Sequence, residues 1–205
     1  MTEQGFDSMN GMEFDFLKEI GNIGAGNATT ALATMLKLKV EMQVPKVALL
    51  DFQELPEILG GAENPIAGIL LTLRGEIEGM MMFVLEYSAA RSMVNLLMGQ
   101  EKPVEEPLDE IEASALQEVG NIITGAYLSA LSNLTNLAMS PSVPYISVDM
   151  AGAILSVPAI EFGKIGDKAL LIETEFGEKA SSVNGYFILI PTLEAYNKIL
   201  HSFGM

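Results

Sequence analysis

The feature that most restricts what this chain can fold into is that it contains itself twice. A shift of 99 residues lays "EIGNIGAGNATTAL", from Glu19, over "EVGNIITGAYLSAL", from Glu118, without a gap. Glu19/Glu118, Gly21/Gly120, Asn22/Asn121, Ile23/Ile122, Gly26/Gly125, Ala31/Ala130 and Leu32/Leu131 are identical, and Pro45/Pro144 keeps the same offset far downstream. Such self-similarity demands an architecture with two similar halves.

The same order of elements follows each copy. Short strand segments come first ("KVALLDF"; "YISVDMAGAILSV"), then an apolar strand pair ("IAGILLTL" with "GMMMFVLEY"; "KALLIETEF" with "NGYFILIPT"). A helix then closes each half, "SAARSMVNLLMG" and "LEAYNKILHSFG", each ending in glycine as helices often do. The charged, proline-bearing "GQEKPVEEPLDE", residues 99–110, joins repeats of about 12–99 and 111–204. Duplicated halves of this size need not fold alone, and they can share one sheet.

Three glycines between Gly21 and Gly26 invite comparison with a phosphate-cradling loop. The spacing of a dinucleotide fingerprint fails at Thr29, and the second copy has Ile123 where the first has Gly24. "IEASALQEV", just upstream in the second copy, is made of good helix formers, so both stretches are expected to be helical. At 100° per residue, Leu17, Ile20, Gly24, Ala28, Ala31 and Met35 share one face, as do Leu116, Val119, Ile123, Tyr127, Ala130 and Leu134. These are the expected core stripes.

The opposite face carries Asp15, Glu19, Asn22 and Gly26 in one copy and Ser114, Glu118, Asn121 and Gly125 in the other. Glu and Asn on a helix surface usually do no more than keep it soluble. A solvated face drifts in identity while keeping its polarity, however, and here the Glu and Asn themselves persist between copies while their neighbours change. Glycine inside a helix costs about 1 kcal/mol relative to alanine, so its recurrence on the outward face points to close approach of another molecule. For Gly21 and Gly120, on the inner side, tight packing is the simpler explanation.

Composition removes most other chemistries. The formal charge of −16 repels nucleic-acid backbones and anionic membranes. Without cysteine and with one histidine, His201, there is no thiol chemistry and almost no imidazole chemistry, and no metal site is visible. His201 reads as a partly exposed residue of the last helix. The first residues lack the pattern of a signal peptide, and no apolar run is long enough to span a membrane, so a soluble cytoplasmic protein without membrane insertion is expected.

With these residues in place the chain resembles the CheC/CheX/FliY family of chemotaxis phosphatases. Its pattern is Asp or Ser, three residues, Glu, two residues, Asn, then 22 residues and Pro. Asp15, Glu19, Asn22 and Pro45 fit it, and Ser114, Glu118, Asn121 and Pro144 fit it again. The size and the two complete motifs resemble the two-site members. CheX resembles a single-site form that dimerises, FliY carries a further C-terminal domain, and the FliM middle domain shares the fold but lacks the Glu/Asn pairs. The resemblance implies an α+β fold in which two pseudo-symmetric halves share a largely antiparallel sheet, with both motif helices exposed.

It also implies a substrate, the aspartyl phosphate of the response regulator CheY, and a hydrolase that removes it with water. Such a transfer chiefly needs a positioned water and compensated charge. Asn22 and Asn121 can accept a hydrogen bond from that water through their carbonyls. Glu19 and Glu118 would dock the lysine beside the receiver's phosphoaspartate. Asp15 and Ser114 would support the Glu or meet the partner, Gly26 and Gly125 would admit the receiver's loops, and Pro45 and Pro144 would fix the turn into the next strand. Mg²⁺ is expected from the CheY receiver, with no cofactor of the chain's own. The alternative is a non-catalytic, FliM-like adaptor that binds CheY-P or the receptor deamidase CheD, a partner of such proteins.

Overall fold

The computed structural model describes residues 11–36, 41–162, 168–176 and 183–202. The chain order is α1 (Gly11–Leu36), β1 (Met42–Asp51), α2 (Leu55–Ile58), β2 (Pro65–Gly75), β3 (Gly79–Glu86) and α3 (Tyr87–Met98). Then follow α4 (Glu110–Thr135), β4 (Met139–Pro141), β5 (Tyr145–Met150), α5 (Ala151–Phe162), β6 (Lys168–Phe176), β7 (Val183–Pro191) and α6 (Leu193–Ser202). Among the described residues all strands join one seven-stranded sheet in the order β1-β6-β7-β3-β2-β4, with β5 also on β2. Every pairing is antiparallel.

The halves interlock through this sheet. β1 pairs with β6 and β5 with β2, so a strand of each half lies on the hairpin of the other. Their registers correspond: Lys46 faces Glu173 as Tyr145 faces Leu70, and Asp51 faces Lys168 as Met150 faces Pro65. At the centre β3 and β7 pair about Phe83 and Phe187, flanked by Met82 with Ile188 and Val84 with Tyr186. The two phenylalanine rings lie 5.2 Å apart. Neither half could bury its hairpin edge without the other, which is why the repeats form one sheet.

Alternation along the strands sends side chains to two cores. Ile69, Leu71, Met81, Phe83, Ile172 and Phe187 face the layer made by α1, α3, α4 and α6. Ile66, Met82, Val84, Leu171 and Ile188 face α2 and α5. Coverage on both sides explains why the central strand reads "GMMMFVLE", with every residue but the last buried.

α1 and α4 lie against each other, and their contact depends on unequal partners. A Cβ at Gly24 would stand 2.8 Å from the Tyr127 ring and 3.1 Å from its Cα. Under the repeat these positions correspond to Ile123 and Ala28, both buried, so small and large residues exchange places between the copies. Tyr127 stacks on Phe187 at 4.2 Å and its hydroxyl meets Thr174 Oγ1 at 3.2 Å. Burial pushes that phenol up to about 12.

Two expectations need correction. "AGAILSV" is not strand: β5 stops at Met150 and the chain turns directly into α5. Its first amides are claimed by the opposite half, Ala151 N–H donating to Asn64 O and Gly152 N–H to Ala62 O, both at 2.9 Å. Ile154 then packs over Gly68, where a Cβ would stand 2.8 Å from it. These tertiary contacts outweigh the β-preference of a short apolar run. The inner stripe of α1 also ends early, since Ala31 and Met35 are exposed and Leu32 is buried instead. The stripe of α4 holds throughout, with Leu134 half-buried at its end. "SAARSMVNLLMG" closes with Gly99 in the left-handed region, φ 62°, whereas Gly204 lies outside the described residues. His201 is exposed in the last turn of α6.

Candidate functional site

The second motif helix starts from a strong cap. Asp109 accepts hydrogen bonds from the amides of Ile111 and Glu112, both at 2.9 Å, and the Asp109 amide in turn donates to Glu112 Oε2 at 3.0 Å. "DEIE" is thus a capping box, legible in the sequence though not used there. Glu112 is fully buried and also accepts from Arg91 Nη1 at 3.0 Å, Gln100 Nε2 at 2.6 Å and Lys102 Nζ at 2.8 Å. Lys102 foremost, with the Asp109 amide next, pulls the Glu112 carboxyl down to about 2. The network ties α3 and the charged connection to the start of α4.

From that anchored start α4 runs across the sheet. Gly120 sets its depth: a Cβ there would lie 2.4 Å from Ile69 Cδ1, so the helix rests on the strand. Gly21 does the same for α1, where a Cβ would lie 3.2 Å from Val44 and 3.4 Å from Ile172. Both inner glycines are packing residues, as their place on the wheel suggested. With one face held down, the opposite face points to solvent.

That outer face carries the motif. Asp15, Glu19, Asn22 and Gly26 are all exposed on α1; Ser114, Glu118 and Asn121 are exposed on α4, and Gly125 is half-buried. Each Glu precedes its Asn by three residues, which makes them surface neighbours. Among the described residues none of these four side chains is engaged in a hydrogen bond or ion pair. A Cβ at Gly26 or at Gly125 would meet no atom within 4 Å, so the helix backbone is open to approach at both. An acceptor-only carboxylate and a donor–acceptor amide, side by side and uncommitted, can bind a cation and orient a water.

The two motif prolines stand differently: Pro144 directly precedes β5, as expected, whereas Pro45 does not precede a strand. Pro45 falls inside β1, at a register shift between Gln43 and Lys46, rather than in a turn before a strand. Pro144 falls between Pro141, paired with Leu73, and Tyr145, paired with Leu70, so three residues oppose two. Each copy thus carries one extra residue where its proline stands, a bulge, where a missing N–H costs no ladder bond. Gln117, one residue before Glu118, donates to the Pro144 carbonyl. Sequence reasoning passed over this residue, though its replacement of Lys18 was a visible difference between the copies.

No group of three or more His, Cys, Asp and Glu side chains among the described residues is placed to hold a metal ion. No helix among them is long and apolar enough to cross a membrane.

Comparison with known proteins follows the same two segments. A family model described as the CheC-like family matches residues 12–49 and 111–148. The chain is 35% identical over 203 residues, 97% of each chain, to the CheY-P phosphatase CheC of Bacillus subtilis (strain 168). Its fold is similar to that of Thermotoga maritima FliY, with TM-score 0.75 and 23% identity over 96% of this chain and 98% of that one. A chain of the FliM–SpeE complex from H. pylori is similar in fold at TM-score 0.70 and 12% identity, covering 96% and 97%.

Proposed function

The chain belongs to the CheC-like family, and from that premise we propose how it works as a chemotaxis phosphatase that hydrolyses CheY-P. The observation that carries the proposal is the pair of exposed, uncommitted Glu/Asn couples on helices held down by buried glycines. A receiver docked on either helix meets the carboxylate of Glu19 or Glu118 with its lysine, in a charge-assisted hydrogen bond that orients as well as attracts. The amide of Asn22 or Asn121 then accepts a hydrogen bond from a water and holds a lone pair of that water toward phosphorus. Asp15 and Ser114, one turn earlier, support the Glu or meet the receiver. Gly26 and Gly125 let its loops reach the backbone.

The receiver brings the phosphate and the Mg²⁺ that balances its charge, so the chain's part is docking and water placement. Water is the nucleophile on this route, so no phosphoenzyme forms. CheD is proposed as a second partner and the cytoplasm as the compartment; co-purification of the full chain with CheD, and fractionation of cells, test these separately.

The deciding experiment is phosphate release from phosphorylated CheY without added nucleotide. Glu19→Ala with Glu118→Ala should chiefly raise KM, and Asn22→Ala with Asn121→Ala should lower kcat on the order of 10²-fold with binding largely kept. A stable phosphorylated residue on this chain during turnover would sink the mechanism. A double Asn variant that loses binding but turns over normally when bound would reverse the roles.

A further inference from the structure

Gln117 differs in kind from its counterpart Lys18, and its contact has a consequence for the second motif. The extra residue of a bulge leaves backbone groups outside the ladder, and a half-buried carbonyl needs a partner. Gln117, itself half-buried, supplies one by donating Nε2–H to the Pro144 oxygen. On the other side the bulge is held to β2, with Ser142 N–H donating to Thr72 O at 2.8 Å and Thr72 N–H to Ser142 Oγ at 3.1 Å.

On the helical wheel Gln117 stands about 40° from Asn121 and about 60° from Ser114, on the flank of the motif stripe. The bulge it grips therefore borders that stripe on the Asn side. The first copy is built differently: Lys18 is exposed, and Val44, buried, corresponds to Val143, which is 85% exposed.

We propose that Gln117 is a positioning residue of the second site, holding the Pro144 bulge as a wall beside Asn121 and so fixing the motif turn of α4 over the sheet edge. The proposal rests on Glu118 and Asn121 being a working site. Gln117 touches neither substrate nor water; it acts through Pro144. Because the wall stands beside the amide rather than the carboxylate, its loss affects the placement of water more than docking. The first copy has its own bulge at Pro45, with Val44 buried against Gly21, but Lys18 is exposed and does not grip it.

The test uses the full chain with Glu19→Ala/Asn22→Ala, so that turnover reports the second site alone. Gln117→Glu keeps the size but turns an acceptor toward the carbonyl, and Gln117→Lys restores a donor. We expect Gln117→Glu to lower kcat for CheY-P hydrolysis about tenfold with KM little changed, and Gln117→Lys to recover most of it. Amide hydrogen exchange at Ser142 and Tyr145, which needs no turnover, should quicken in Gln117→Glu and not in Gln117→Lys. An unchanged kcat in Gln117→Glu overturns the proposal, as does an equal loss when the first site is assayed alone in Glu118→Ala/Asn121→Ala. If the parental single-site protein is inactive, the site assignment has failed instead, and unchanged exchange would still overturn the role of Gln117.

Discussion

Replacing Gly26 and Gly125 together by alanine sets stability against function. Each glycine costs its helix about 1 kcal/mol relative to alanine, through backbone entropy. A methyl group at either position meets no atom within 4 Å, so nothing opposes that gain. The double variant should be more stable by about 2 kcal/mol, and a chain of this size converts that into a rise of roughly 4–8 °C in Tm. Gly120→Ala is the control, because its Cβ would lie 2.4 Å from Ile69 Cδ1 and 2.9 Å from Cγ2. Overpacking of that kind costs about 1–3 kcal/mol, which exceeds or cancels the helical gain. Its Tm should not rise. The stabilised double variant should be the poorer enzyme, since both methyls stand on the face that bears the Glu and Asn. A loss of about 1.4 kcal/mol in docking appears as roughly a tenfold higher KM for CheY-P. Thermal unfolding by circular dichroism and steady-state phosphate release decide the matter. A lower Tm would contradict the helix argument, and a higher Tm with unchanged KM and kcat would remove close approach as the reason for these glycines.

Further outcomes follow from the two copies and from the buried carboxylate. Glu19→Ala/Asn22→Ala and Glu118→Ala/Asn121→Ala should each leave partial phosphatase activity, with almost none when all four changes are combined; complete loss from either pair alone would show that the sites are not independent. Glu112 binds its proton more weakly in the native protein than in the unfolded chain, because its carboxyl is held at about 2 against an ordinary value of 4.5. Its contribution is therefore fully present above about pH 4.5 and lost as the pH falls toward 2. Denaturant titrations between those limits should show a shallower loss of stability for Glu112→Gln than for the parent protein, and equal slopes would refute the assignment.

Much of this protein was already legible in its residues. The 99-residue offset set two halves, the period of 3.6 laid Glu and Asn on one face of each motif helix, and the unbroken apolar run at β3 marked a strand covered on both sides. Those are local patterns, and local stereochemistry suffices to read them. The structure alone decided how the halves share one sheet, since strand pairing depends on which edge each hairpin leaves open. It turned "AGAILSV" into a helix, because Asn64 and Ala62 of the opposite half take its first amides. It exposed Ala31 and Met35, which a helical wheel cannot distinguish from buried positions without knowing where the neighbouring layer ends. Pro45 moved from a turn to a bulge inside β1, Pro144 kept its place before β5 but at a bulge, and Gln117 acquired a partner 27 positions away. The Glu and Asn pairs needed only helical periodicity and the repeat to be found; the Gln117–Pro144 contact needed a sheet edge brought to the helix by the tertiary fold.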